Sequence, residues 1–255
     1  MTDMTFESAV KALFDYQMRN VFTAIPAKVM QVEDAGEQRV AVKPLINNVF
    51  PDWEDSIEFP TLLSVQLMFP SSSTSAFTFP VNAGDTVLLV FAQSCMDVFK
   101  SGDGTTQPPS DYRRFDKRDA IAIPGLFPFG MAINQQSKRT LTHSTDDVVV
   151  AHNLGTEAEC EIRLKPAGKV EITSPLQVEV NAPIVTVNAE TSATVTSPAI
   201  YATATTLATI TAPIAAINAA TSATVTSPIV AITAVTSVAV TSPTFTWNGS
   251  TIAVI

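Results

Sequence analysis

A polar residue followed by a small one recurs down the last third of the chain. The pairs are Thr173-Ser174, Asn181-Ala182, Asn188-Ala189, Thr196-Ser197, Thr203-Ala204, Thr211-Ala212, Asn218-Ala219, Thr226-Ser227, Thr233-Ala234 and Thr241-Ser242. Successive steps alternate between 8 and 7 residues, and Pro183, Pro198, Pro213, Pro228 and Pro243 follow one another at intervals of 15. Repetition at a fixed period constrains a fold more than any local signal. Two residues, spaced by two, stand just before each pair, as in Val178/Val180, Val185/Val187 and Ala193/Val195. A spacing of two is the strand period, so each unit reads as one short strand with one buried face. The inward positions include Val180, Val187, Val195, Ile210, Ile217, Val225, Ile232 and Val240, and the outward positions are rich in Thr. Thr-Ser-Pro and Asn-Ala-Pro make the corners, where proline needs no ladder donor.

Two apolar residues per strand do not make a core. The strands must wind around a common axis, either within one chain or among several. Small inward side chains suit a narrow axis shared by three copies, and the corners are short and uniform, with no inserted loops. The reading is therefore an intertwined triple-stranded β-helix, a homotrimer, over a single-chain solenoid. With stacked strands ~4.8 Å apart, some twelve units give a shaft on the order of 55–60 Å.

Between Thr173 and Ile255 only Glu179 and Glu190 are charged, so the composition changes abruptly where the repeat begins. The net charge of −9 argues against nucleic acid, which requires clustered Lys and Arg. The one basic cluster, Arg113, Arg114, Lys117 and Arg118, is interleaved with Asp111, Asp116 and Asp119. It reads as a solvated loop, with a specific anionic contact as the alternative. Cys95 and Cys160 have no metal-site or redox spacing and read as reduced, small hydrophobes. The N-terminus lacks the pattern of a secretory signal, and Thr, Ser and Asn interrupt every apolar stretch before it could span a membrane.

Upstream of the repeat, Phe6, Val10, Leu13, Phe14, Met18 and Val21 recur at helical spacing. They predict an amphipathic helix over 5–22 capped by Thr5, with Glu7 in its first turn. Its apolar face either packs on its own domain or docks on a partner or a symmetry mate. Residues 23–126 carry five strand patterns: AKVMQV, RVAVKPLI, TLLSVQLMFP, VNAGDTVLLVF and DAIAIP. That count suits a small all-β barrel of the OB type. Residues 127–169 form a connector with two further strand patterns, DVVVAH and ECEIRLK, and a turn at KPAGK. The needle occupies 170–255.

This order of parts resembles the central, membrane-piercing baseplate spike of contractile-tailed bacteriophages, in particular the short spikes without a lysozyme domain. The resemblance implies a homotrimer seated on the baseplate hub through the barrels, with Phe6, Val10, Leu13, Phe14 and Val21 as hub or trimer contacts. It also implies a virion location after synthesis in the host cytoplasm, and transient contact with the outer membrane on contraction. Many such spikes end in His-x-His around an apical iron. The tail TFTWNGSTIAVI has no histidine, so no metal or cofactor is expected. His143 and His152 read as ordinary polar residues. Trp247, Ile252, Val254 and Ile255 are candidates for an apolar tip, with Asn248-Gly249 as its turn; Trp247 as the last core layer, or a separate tip protein, also fits. No nucleophile motif, phosphate loop or metal cluster stands out, so an enzyme is not expected. The alternative role is a trimeric adhesin or tail-fibre stalk that binds a surface receptor. An ice-binding β-helix leaves the barrel unexplained, and a disordered stalk leaves the register unexplained.

Overall fold

The computed structural model describes residues 5–49, 56–212, 214–219, 224, 245–247 and 250–252. The chain divides into two units, Met1–Asn181 and Ala182–Ile255.

The first unit opens with helix α1, Phe6–Met18. The Thr5 hydroxyl caps it by accepting the Ser8 amide at 3.2 Å, and no residue of the helix is buried. The expected helix thus runs four residues past the observed end, and Val21 lies beyond it. Phe22 explains the stop. Its amide donates to the Phe115 carbonyl, and its ring packs at 5.8 Å from Phe59 and 5.5 Å from Phe91. Those contacts pull the chain out of helical register and into the next element.

That element is a closed five-stranded barrel. Its strands are β1 (Ala24–Asp34), β2 (Arg39–Pro44), β5 (Leu62–Leu67), β6 (Thr86–Phe91) and β7 (Ala120–Pro124), in the order β1-β2-β5-β7-β6. A two-residue hairpin, β3 (Asn48–Val49) and β4 (Ser56–Ile57), lies between β2 and β5. Four of the five junctions are antiparallel; β5 and β7 pair in parallel, Gln66 opposite Ile121, and so close the ring. Two register shifts in β1, after Val29 and after Val32, give the strand the extra bend that a small barrel demands. Ala27, Val29, Val40, Val42, Val65, Val87, Leu89, Ala120 and Ala122 fill the interior, all but fully buried. Alanine and valine suit it because so few strands leave no room for a larger set. Gly84, at φ +101°, makes the tight turn into β6, where the Asp85 carboxylate accepts the Asn82 amide at 2.7 Å.

Helix α2 (Asp97–Ser101) follows β6. Past the barrel, the connector strands become a sheet: β8 (Val148–His152), β9 (Cys160–Leu164) and β10 (Val170–Thr173), antiparallel in the order β10-β9-β8. The KPAGK turn joins β9 to β10, with the Lys165 amide on the Lys169 carbonyl at 2.9 Å and Gly168 at φ +80°. Strand β10, read from the sequence as the first repeat unit, therefore has partners within its own chain.

Beyond Ser174, every residue whose burial is described is exposed, and residues 175–212, 214–219 and 224 carry no strand pairing. Val180, Val187, Val195, Ile210 and Ile217 are 67–82% exposed in the single chain. Val225, Ile232, Val240, Val254 and Ile255 lie outside the described residues. Trp247 and Ile252 fall in a short hairpin, β11 (Phe245–Trp247) against β12 (Ser250–Ile252), with Trp247 opposite Ser250 and Phe245 opposite Ile252. No helix among the described residues is long and apolar enough to cross a membrane.

Candidate interaction surfaces

Of the basic cluster, Arg114, Lys117 and Arg118 are exposed as a solvated loop requires, but Arg113 is not. Arg113 is 9% exposed and reaches three carboxylates at once. Its Nε and Nη2 donate to the two oxygens of Asp119 at 2.7 and 2.9 Å. A further Nη2 bond reaches Asp97 at 2.7 Å, and Nη1 reaches Asp111 at 3.3 Å. Asp119 is wholly buried just ahead of β7 and also accepts the Met96 amide at 2.8 Å. Hydrogen bonding to Asp119, then to Asp97, raises the Arg113 pKa, and the same bond from Arg113 lowers that of Asp97. Arg118 is held at the surface by Asp116, at 2.9 Å. The guanidinium therefore ties α2, the long loop and β7 together rather than facing an anion.

Among the described residues, one set of side chains (Cys95, Asp97 and Asp119) comes close enough to hold a metal ion. Both of its carboxylates are committed to Arg113, and a second cation there would compete with a bidentate fork. It reads as part of the ion-pair knot. Cys95 is buried and Cys160 half-buried, both as free thiols.

The connector sheet has two unlike faces, because alternate residues point to opposite sides. One face carries Glu161, Arg163 and Glu171. Arg139 and Asp147 come from the preceding loop, and the ion pairs Arg139–Glu161 (3.6 Å), Arg163–Glu161 and Arg163–Asp147 (3.7 Å) are nearly sealed from water. Glu171 is pinned by Lys165 at 2.7 Å and Lys169 at 2.5 Å, which together push it down to about 2. Next to this network the buried Glu159 carboxylate accepts three backbone amides: Thr140 (2.5 Å), Gly155 (3.0 Å) and Leu141 (3.4 Å). Burial favours its neutral form, but those amides and Arg139 outweigh that, leaving it below the ordinary carboxylate range.

A carboxylate with a lowered folded-state pKa stabilises above its unfolded value and ceases to as pH falls through the folded one. Glu159→Gln is expected to cost about 1–3 kcal/mol at neutral pH by leaving amides poorly paired. Hydrogen exchange of the 138–156 segment checks this: the variant exchanges faster at pH 7, and the gap from wild type closes on acidification below about pH 4.

The other face of the same sheet is aliphatic and open. Val148, Leu164 and Val170 form one cross-strand row, and Val150, Ile162 and Ile172 the next. All six are 46–63% exposed. The apolar stripe of α1 is likewise uncovered: Phe6, Val10, Leu13 and Phe14 are 50–87% exposed and Val21 36%. The structure thus places Phe6, Val10, Leu13 and Phe14 on one unpartnered face of α1, without showing what covers it, and leaves Val21 outside the helix. The His143 ring contacts the Asn134 side chain at 2.9 Å, and His152 ends β8 opposite Cys160. Sequence reasoning missed both the Arg139–Glu161–Arg163 network and the Arg113 fork. Their one advance signal was opposite charges in alternation, which solvated surfaces also show.

The barrel is the part of the chain that a comparison with known proteins matches. Residues 25–125, which run from β1 through β7, match the family described as phage protein Gp138 N-terminal domain. The barrel segment is similar to that phage protein domain. The match ends where the connector begins, so the sheet and the repeat lie outside it. No curated protein matches the chain. The family match is consistent with a phage structural protein.

Proposed function

We propose that this chain is the trimeric spike at the centre of a phage baseplate, a non-enzymatic needle that pierces the host outer membrane when the tail contracts. The observation that carries the reading is the state of the repeat in a single chain. Its apolar register is strict, yet Val187, Val195, Ile210 and Ile217 are 73–82% exposed and their segment has no ladder. A sequence so regular and so apolar, with backbone groups unpaired, calls for partners of the same periodicity. Identical chains supply it. Three copies around one axis bury the inward Val and Ile and pair each backbone group with a neighbouring chain, which makes a shaft stiff enough to transmit force.

The phage domain supports the placement: a barrel ahead of the repeat gives the trimer a broad base through which a hub could push. The exposed face of α1 offers a contact for that hub or for the other copies. Labelling virions with an antibody against the repeat tests the assignment. Gold at the tip of the tail is expected, and gold at the head or at the ends of lateral fibres contradicts it.

A further inference from the structure

The six aliphatic residues of the connector sheet do not belong to the barrel core, and their own chain leaves them open. Val178, Phe77 and Phe79 extend the same patch into a groove of about 560 Å³ with Val150, Ile162 and Ile172 along it. Phe79 is fixed to the barrel by an edge-to-face contact with Phe69 at 5.1 Å, so the wall is anchored rather than loose. Monomeric proteins rarely leave contiguous apolar patches larger than a few hundred Å². We propose that this face is the seat of further copies of the same chain, so that three connector sheets pack face to face and lock the trimer just ahead of the needle.

Three observations favour a second copy over a foreign partner. The repeat's inward pairs begin with Val170/Ile172 and continue through Val178/Val180, so the aliphatic side of β10 is in register with the needle axis. Whatever covers one should continue over the other. The charged side of the sheet is already ion-paired within the chain through Arg139, Asp147, Glu161 and Arg163 and nearly sealed from water, which leaves the aliphatic side as the one open to a partner. Finally, the two rows contain no charged or polar side chain, as expected of surfaces that converge on a three-fold axis, where a charge close to the axis would meet two copies of itself. The inference rests on the trimeric reading of the repeat.

The test uses the full chain carrying Val150→Cys, a mild change at a site 49% exposed in the single chain. Maleimide labelling of that thiol is followed by peptide mass spectrometry, with glutathione as the free-thiol reference, while light scattering reports the mass. Labelling at least about tenfold slower than glutathione in a trimer is the expected result. A smaller slowing in a trimer overturns the sheet-to-sheet contact and leaves the needle intact. A monomeric protein overturns the reading on which it rests. Val150→Asp supplies an independent check: it is expected to give single chains that retain the barrel, and an unimpaired trimer overturns the proposal.

Discussion

Val195→Asp is expected to leave the barrel folded and to abolish the three-chain assembly. Val195 is 73% exposed in the single chain, so a carboxylate there disturbs nothing inside one copy. In a needle, three such carboxylates converge on one axis with no counter-charge. Each unpaired charge loses several kcal/mol of hydration, and the three repel one another. The neighbouring Thr194→Asp, one position out of register and therefore outward, is the control and should assemble as the wild type does. Sedimentation velocity of the two variants checks the pair. If both assemble, or both fail, the inward register is wrong.

Arg113→Ala is the second large effect and acts on the barrel. Removing the guanidinium leaves Asp119, wholly buried, with a single backbone amide from Met96, and releases Asp97 and Asp111. Breaking a buried pair from one side costs about 3–5 kcal/mol, because the surviving charge remains in the interior. Denaturant titration of the barrel's unfolding is the measurement. Arg113→Lys should recover only part of the loss, since one ammonium cannot reproduce a fork that serves three carboxylates. The double change Arg113→Ala with Asp119→Asn should be milder than Arg113→Ala alone. Equal or greater damage would mean that the loop, and not the buried charge, determines stability.

What could be read from the sequence divides by the range of the interaction. The barrel strands were legible because alternation around Val40, Val65, Val87 and Leu89 is local, and each pattern names its own buried face. The five expected strands are the five that close the ring. Helix α1 was legible at its start, where Thr5 caps it within one turn, but not at its end. Its end is set by Phe22, whose partners Phe59, Phe91 and Phe115 are far away in the chain. The Arg113 fork was missed for the same reason: Asp97 lies 16 residues away, and the burial of Asp119 follows from barrel closure. DVVVAH, ECEIRLK and the KPAGK turn were each visible, yet their pairing with Val170–Thr173 was not, because β10 also satisfies the register of the repeat. In the repeat the legible quantity is periodicity. On the proposed reading the partner that completes it is another chain, and no single sequence contains it.

The central claim is that three copies share one apolar axis, and the mass of the native protein tests it most directly. Light scattering on a sizing column, with unboiled SDS electrophoresis of the same fractions, should give three times the 27.2 kDa chain mass and an oligomer that resists the detergent. A particle of 27.2 kDa by both methods would contradict the account.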